Sequence, residues 1–161
     1  MTTRADFEHE PVSHSVAHHL VAIAELLEEY GYARVSDVAR RIGITRGSAS
    51  ITLKGLKQKG LVTEDDRRFL GLSDEGRNIT DSIRAKRAVM KDLFVRVLGV
   101  DEEDADRDTC KLEHLISPET ATRALRLLEF IDGGSPEAKN FVKAFESFTN
   151  GRRKKKSKRG S

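Results

Sequence analysis

The sequence predicts a mainly α-helical chain in which a small N-terminal domain with one β-hairpin precedes a second, all-helical domain. Apolar residues recur at helical spacing over most of the chain, and the alternation typical of strands is confined to residues 61–72. Ser-Pro-Glu sequences at Ser117 and Ser135 mark the starts of two further helices. With 161 residues, 37% of them hydrophobic, the chain is large enough for one main core or two small ones.

The N-terminal half contains Gly, Ser and Thr residues where helices are expected to begin and end. The hairpin is expected from weak alternation around a charged tip. The predicted segments are a loose leader over residues 1–12 and then, within a domain over residues 13–72, a helix from Ser13 to Gly31, a helix over 37–42 capped by Ser36, a turn at 43–45, a helix over 46–59 ending at Gly60, and the hairpin over 61–72.

The C-terminal half shows only helical periodicity. Its predicted segments are, within a domain over residues 73–149, a long helix over 73–98, a break at 99–101, a short helix over 103–116, a helix from Ser117 to Gly133 and a last helix to about Thr149, followed by a disordered basic tail over residues 150–161.

The net charge of +3 conceals an uneven distribution. The segment from Gly151 to Ser161 carries seven Lys and Arg residues and no acidic one, so the remainder of the chain is mildly acidic. Within that remainder, residues 34–68 form a basic island, which favours a polyanionic partner. The tail either adds non-specific DNA affinity or is a solubilising extension.

Several classes of protein are disfavoured. No apolar run reaches the roughly 20 residues of a membrane span, and the N-terminus lacks the apolar stretch of a secretory signal. One free cysteine, Cys110, fits the reducing cytoplasm. The sequence contains no His-Glu-x-x-His, P-loop or Ser/His/Asp order, so a small metalloenzyme is disfavoured and no catalytic residue is assigned.

Two short helices joined by a Gly-containing turn and followed by a basic hairpin are the order of a winged helix-turn-helix domain. The helix from Arg46 would enter the DNA groove, and its small, hydroxyl-bearing first turn can approach bases and phosphates. An ordinary solvated basic face is the alternative interpretation. The residues expected to contact double-stranded DNA are Ser36, Thr45, Arg46, Gly47, Ser48, Ser50, Ile51, Lys54, Arg67 and Arg68.

The richest chemical pattern is Cys110-Lys-Leu-Glu113-His114. On a helix these three ligand types leave one face, where thiolate, carboxylate and imidazole can bind a first-row transition metal. Three ligands do not close a shell, and His18 or His19 on the first helix is available as a fourth. The alternative is a buried cysteine beside a surface Glu/His pair.

The sequence resembles the DtxR/MntR family of metal-dependent repressors over about residues 16–131. The segments that carry the resemblance are Gly31-Tyr-Ala-Arg-Val-Ser-Asp-Val-Ala39, Leu72-Ser-Asp-Glu-Gly-Arg77, Leu98-Gly-Val-Asp101 and Cys110-Lys-Leu-Glu-His-Leu-Ile-Ser117. The resemblance implies a cytoplasmic homodimer on a pseudo-palindromic operator, with residues 73–131 contributing dimerisation and metal binding. It places one metal site per subunit on His18, Cys110, Glu113 and His114, with Fe(II) favoured and Zn(II) or Mn(II) as alternatives.

The chain departs from the family at the positions of a second metal site, which read Arg87, Lys91 and Asp106. Arg and Lys are hydrogen-bond donors only and do not ligate a cation. We therefore expect no second site, and Arg87 or Lys91 is expected to pair with Asp106 in its place unless all three are plain surface charges. A winged-helix regulator without metal, with Cys110 as a thiol sensor, is the alternative function.

Overall fold

The structure, a computed structural model, describes the backbone of residues 12–157 and the side chains of residues 12–149. The mainly α-helical fold class is confirmed. The predicted leader lies outside the described residues except for Val12, which packs against the first core. In chain order the elements are α1 His14–Tyr30, α2 Val35–Ile42, α3 Arg46–Gln58, β1 Val62–Glu64, β2 Leu70–Leu72, α4 Asp74–Asp92, a π-helical turn Leu93–Val97, α5 Glu102–Leu112, α6 Pro118–Asp132 and α7 Pro136–Ser157.

The N-terminal domain is a winged helix-turn-helix, as predicted. The left-handed Gly43, at φ 78°, ends α2 and turns the chain into α3, whose first turn is capped by the Thr45 side chain. β1 and β2 are antiparallel with Val62 opposite Leu72, and they form the wing. The first core lies among α1, α2, α3, the wing and the first half of α4.

The start of α2 differs from the prediction. Ser36 is not the N-cap; α2 begins at Val35, and Arg34 occupies the cap position in an extended conformation without a side-chain hydrogen bond. The backbone N–H groups of Asp37 and Val38 both donate to the Arg34 carbonyl, which closes the first turn without a Ser hydroxyl. Ser36 therefore stays exposed for other contacts.

α4 connects the two domains, because its two ends belong to different cores. Ile79 and Ile83 pack in the first core, whereas Val89 and Met90 pack against α6 in the second. The predicted long helix does not run regularly to Leu98: it changes to a π-helical turn after Asp92, and Gly99, at φ 67°, then breaks the chain direction.

Two predicted helix ends are also wrong. α5 was expected to reach Ile116 but ends at Leu112, where Glu113 is the C-cap residue and the chain turns toward the Ser117 cap of α6. α7 was expected to end near Thr149, whereas its backbone continues to Ser157, through much of the basic tail expected to be disordered. The tail's side chains and residues 158–161 lie outside the described part. In the described part, every helix is too short or too polar to cross a bilayer.

Gly76→Ala is expected to destabilise the N-terminal domain by about 1–3 kcal/mol or more, as overpacking does. A Cβ at this position would lie 2.1 Å from the Leu61 carbonyl oxygen, and backbone cannot move aside cheaply. Gly55→Ala, with open space around its Cβ, is the matched control and should instead stabilise α3 slightly. Urea unfolding of both variants measures the difference, and equal midpoints would contradict the packing argument.

Candidate metal centre and basic groove

Three ligand-type side chains from two domains meet between α1 and α5. The ligand atoms of His18, Cys110 and Glu113 all lie within 4.8 Å of one another. The Cys110 Sγ is 3.6 Å from His18 Nε2, and Glu113 is only 3% exposed. These three line one small cavity of about 230 Å³. An imidazole and a thiolate, both partly buried, and a buried carboxylate are the donor set of a transition-metal site, so the residues present fit such a cation.

The two acidic donors of the cluster are held in a low-dielectric setting. Burial raises the pKa of the Glu113 carboxyl to about 7, with the nearby Arg87 guanidinium opposing the rise. Burial, and then the charge of Glu113, raises the pKa of the Cys110 thiol. Since both groups bind a cation as anions, metal binding at this centre would release protons.

The pKa values of two imidazoles at the centre, those of His18 and His114, are lowered. Burial lowers the pKa of His18, and the neighbouring His14 and His114 lower it further. Burial and His14 likewise lower the pKa of His114. Neutral imidazole is the metal-binding form, so these rings are in the state that ligation requires.

His114 does not share a face of α5 with Cys110, because it lies beyond the end of that helix. Because α5 ends at Leu112, the expectation that residues 110, 113 and 114 leave a common helical face is wrong for His114, which is in the following turn. His114 is not among the three residues whose ligand atoms converge; its ring contacts that of His14, with 4.8 Å between the centroids. Its Nδ1 is buried without a hydrogen-bond partner among the described residues.

Arg87, Lys91 and Asp106, which stand at the positions of the family's second metal site, do come together as expected. Lys91 Nζ lies 2.9 Å from Asp106 Oδ2, and Arg87 Nη2 lies 3.8 Å from Asp106 Oδ1. The sequence did not predict that Arg87 also reaches the metal centre, with its Nε 3.7 Å from Glu113 Oε2. Arg87 thus connects the ion pair on α4 and α5 with a ligand-type carboxylate.

A basic groove runs between α3 and the wing, far along the chain from this centre. It has a volume of about 760 Å³, and its lining includes five of the predicted DNA-contacting residues, Ser36, Arg46, Ser50, Arg67 and Arg68. The predicted contact residues are all exposed, Ile51 to 77%. Arg68, at the wing tip, is the one described non-glycine residue with positive φ, at 66°.

Sequence reasoning missed Arg34 as part of this groove. Its guanidinium carbon lies 4.7 Å from the centroid of the Phe69 ring and 5.9 Å from that of Tyr32, both within range of a cation–π contact. The aromatic pair thus fixes an Arg at the base of the wing. The nearest sequence signal was the Tyr-Ala-Arg run itself, but nothing in it indicates that Phe69 is close.

Family comparisons agree with the two-domain organisation. Residues 73–138 match the family described as "Iron dependent repressor, metal binding and dimerisation domain", and residues 15–68 match the MarR family. The two matches together span about three quarters of the chain.

Individual relatives are similar to both parts of the chain. "Transcriptional regulator MntR" of Escherichia coli O6:H1 is 35% identical over 98 residues, 61% of this chain and 63% of that protein. "HTH-type transcriptional regulator MntR" of Lysinibacillus sphaericus is 28% identical over 133 residues, 83% of this chain and 92% of that protein. The crystal structure of T. acidophilum IdeR shares the fold, with a TM-score of 0.63 and 22% identity over 70% of this chain and 53% of that one.

The match thus spans less than two thirds of the E. coli relative and about half of the IdeR chain. Both curated relatives are transcriptional regulators, which confirms the expectation of a non-enzymatic family. The family descriptions, the relatives and the winged helix-turn-helix fold agree with one another. Together, the two family models, the MntR relatives and the IdeR-like fold support the assignment of this chain to the DtxR/MntR family of metal-dependent transcriptional repressors.

Proposed function

We propose that this chain is a metal-responsive repressor whose homodimer binds a pseudo-palindromic DNA operator when each subunit holds one divalent transition metal. The proposed ligands are His18, Cys110, Glu113 and His114. The observation that carries the proposal is the convergence of His18 from the DNA-reading domain with Cys110 and Glu113 from the other domain. The proposed domains are residues 13–72 for DNA binding and 73–149 for dimerisation and metal binding.

The packing explains how this centre can influence DNA binding. α1 carries His18 and contributes Leu20 and Ile23 to the same core as Leu53 and Leu56 of α3. A cation held by the proposed ligands would tie α1 to the α5 region. Because α3, the helix expected to enter the DNA groove, packs on α1, its position would be fixed as well. Binding that favours this arrangement shifts the population toward the DNA-competent state, with a typical coupling of about 1–3 kcal/mol per site.

Dimerisation is supported by apolar surface on the C-terminal half. Leu98, Leu115 and Phe141 are between 43% and 63% exposed, and large apolar side chains in such numbers favour a protein partner. A second copy of the chain is the proposed partner, because a dimer places two basic grooves on one duplex.

Fe(II) is the metal we propose first. A thiolate with imidazoles suits Fe(II), Co(II), Ni(II) or Zn(II) better than Mn(II), which prefers oxygen ligands. The test is a mobility shift under anaerobic, reducing conditions, with Fe(II), Mn(II), Zn(II), Co(II) or chelator. The probe is a duplex selected from a randomised pool by the metal-loaded protein. Binding only with metal is expected; binding equal in chelator but lost on thiol oxidation would instead support the thiol-sensing alternative.

We further propose that the ion pair of Lys91 with Asp106 fixes α4 against α5 in place of a second cation. Lys91→Asp and Asp106→Lys each create a like-charge pair and should cost about 1 kcal/mol of unfolding free energy, since both groups are partly exposed. The double variant restores opposite charges at this pair and should recover part of that loss in urea unfolding and in metal-saturated DNA affinity, because the contact of Arg87 with Asp106 is still lost. Additive losses in the double variant would show that these are ordinary surface charges.

A further inference from the structure

His14 stands between two of the proposed metal ligands. It lies four residues before His18 on α1, on the same face of the helix, and their ring centroids are 4.0 Å apart. On its other side, its ring centroid is 4.8 Å from that of His114, in the turn after α5. The His14 ring therefore lies between that of His18 on α1 and that of His114 in the turn after α5.

The ring separations of His14 are close to those of imidazoles that share one cation, although among the described residues only His18, Cys110 and Glu113 already have their ligand atoms within 4.8 Å of one another. A metal–nitrogen bond of about 2.1 Å, plus a ring radius of roughly 1.1 Å, puts each centroid about 3.2 Å from the ion. Two such rings at bond angles between about 90° and 110° have centroids roughly 4.5–5.2 Å apart. The spacing of 4.8 Å between His14 and His114 lies in that range, and the spacing of 4.0 Å to His18 is slightly below it.

A second observation points to a ligand at this place. His114 is 6% exposed, and its Nδ1 has no hydrogen-bond partner among the described residues. A buried nitrogen of this kind carries a desolvation cost unless a donor or a cation satisfies it. The ring next to it is that of His14, which is exposed.

The other candidates for an additional ligand either leave α1 in another direction or are held in ion pairs. His19 is buried, with its Nδ1 2.6 Å from the Ser15 carbonyl oxygen and its Nε2 without a partner among the described residues, and it leaves α1 about 100° away from His18. Asp106 holds Lys91 and Arg87. His14 has no such engagement with a charged partner among the described residues.

We infer that His14 is a fifth ligand, so that three imidazoles, the Cys110 thiolate and the Glu113 carboxylate together prefer a nitrogen-seeking cation such as Fe(II), Co(II) or Zn(II) over Mn(II). This inference rests on the proposed function, because it assumes that the centre binds metal. His14 closes the exposed side of the centre and sets its selectivity.

The test uses the full chain and its His14→Ala variant, with Co(II), Zn(II) and Mn(II) alone as probes. Affinities come from competition with a chromophoric chelator, and the ligand-field bands of Co(II) report the coordination number. Losing one ligand should weaken Co(II) and Zn(II) binding by at least about tenfold and Mn(II) binding by less, with a change in band intensity. Ser15→Ala, an exposed neighbour on the same helix, is the control and should match the wild type.

The outcomes separate this inference from the proposed function. If the wild type binds Co(II) with a thiolate charge-transfer band and His14→Ala has the same spectrum and affinities, His14 is not a ligand and the proposed function stands. If the wild type binds none of the three ions, both fail. A changed spectrum and a reduced preference for Co(II) over Mn(II) in the variant would support the inference.

Discussion

Cys110→Ala is expected to abolish the metal-dependent gain in DNA affinity while the protein remains folded. The thiolate is the softest donor of the centre and lies 3.6 Å from His18 Nε2, so its loss removes the link between α5 and α1. With a typical coupling of about 1–3 kcal/mol per site, losing the response at both sites of a dimer removes a roughly 25-fold gain or more. The measurement is the mobility shift with saturating Fe(II) and with chelator, alongside helical circular dichroism.

The matched control is Lys111→Ala, an exposed neighbour of Cys110 on the same helix. It should retain the full metal response, since its side chain is not among the converging donors. A Cys110→Ala protein that still responds fully to metal would show that the sensing site lies elsewhere. If both variants lose the response together, the cause is damage to α5 and not loss of a ligand.

The extent to which the fold follows from the sequence depends on how local each signal is. The starts of α1 and α6 were predicted correctly, because Ser13 and Ser117 stand where helices begin, and each accepts a hydrogen bond from the backbone N–H three residues later. The π-helical turn after Asp92 has no comparable signal, since it depends on how α4 enters the second core. The early end of α5 at Leu112 was missed because its periodicity continues past the point where the chain turns.

The candidate site shows the same division. Cys110 and Glu113 were recognisable because their spacing is helical, and His18 was placed by family resemblance. The contact of Arg87 with Glu113 joins residues 26 positions apart on different helices, so no local pattern predicts it. His14 was readable as a residue one turn before His18, but only the structure places its ring against His114.

Arg46→Ala is expected to weaken binding to the selected duplex about 5–150-fold, or about 1–3 kcal/mol, if its guanidinium contacts a base edge. Arg46 is exposed in the first turn of α3 and lines the basic groove beside Ser50. Arg67→Ala at the wing should behave differently, because a phosphate contact adds affinity without sequence preference. Its loss should reduce the slope of log affinity against log salt by about one.

These two variants separate the reading helix from the wing, and Arg107→Ala supplies the control. Arg107 is also an exposed arginine, but it lies on α5, where it pairs with Asp104 and not with the groove. Its removal deletes the same formal charge, so any effect of net charge alone appears in all three variants. Equal losses in all three would mean that the groove makes no specific contact, because a directional base contact at Arg46 must cost more than a distant charge. If α3 lies in the major groove and the wing lies on the DNA backbone, only the Arg46→Ala and Arg67→Ala variants lose DNA affinity. Of these two, only Arg46→Ala should also relax the sequence preference.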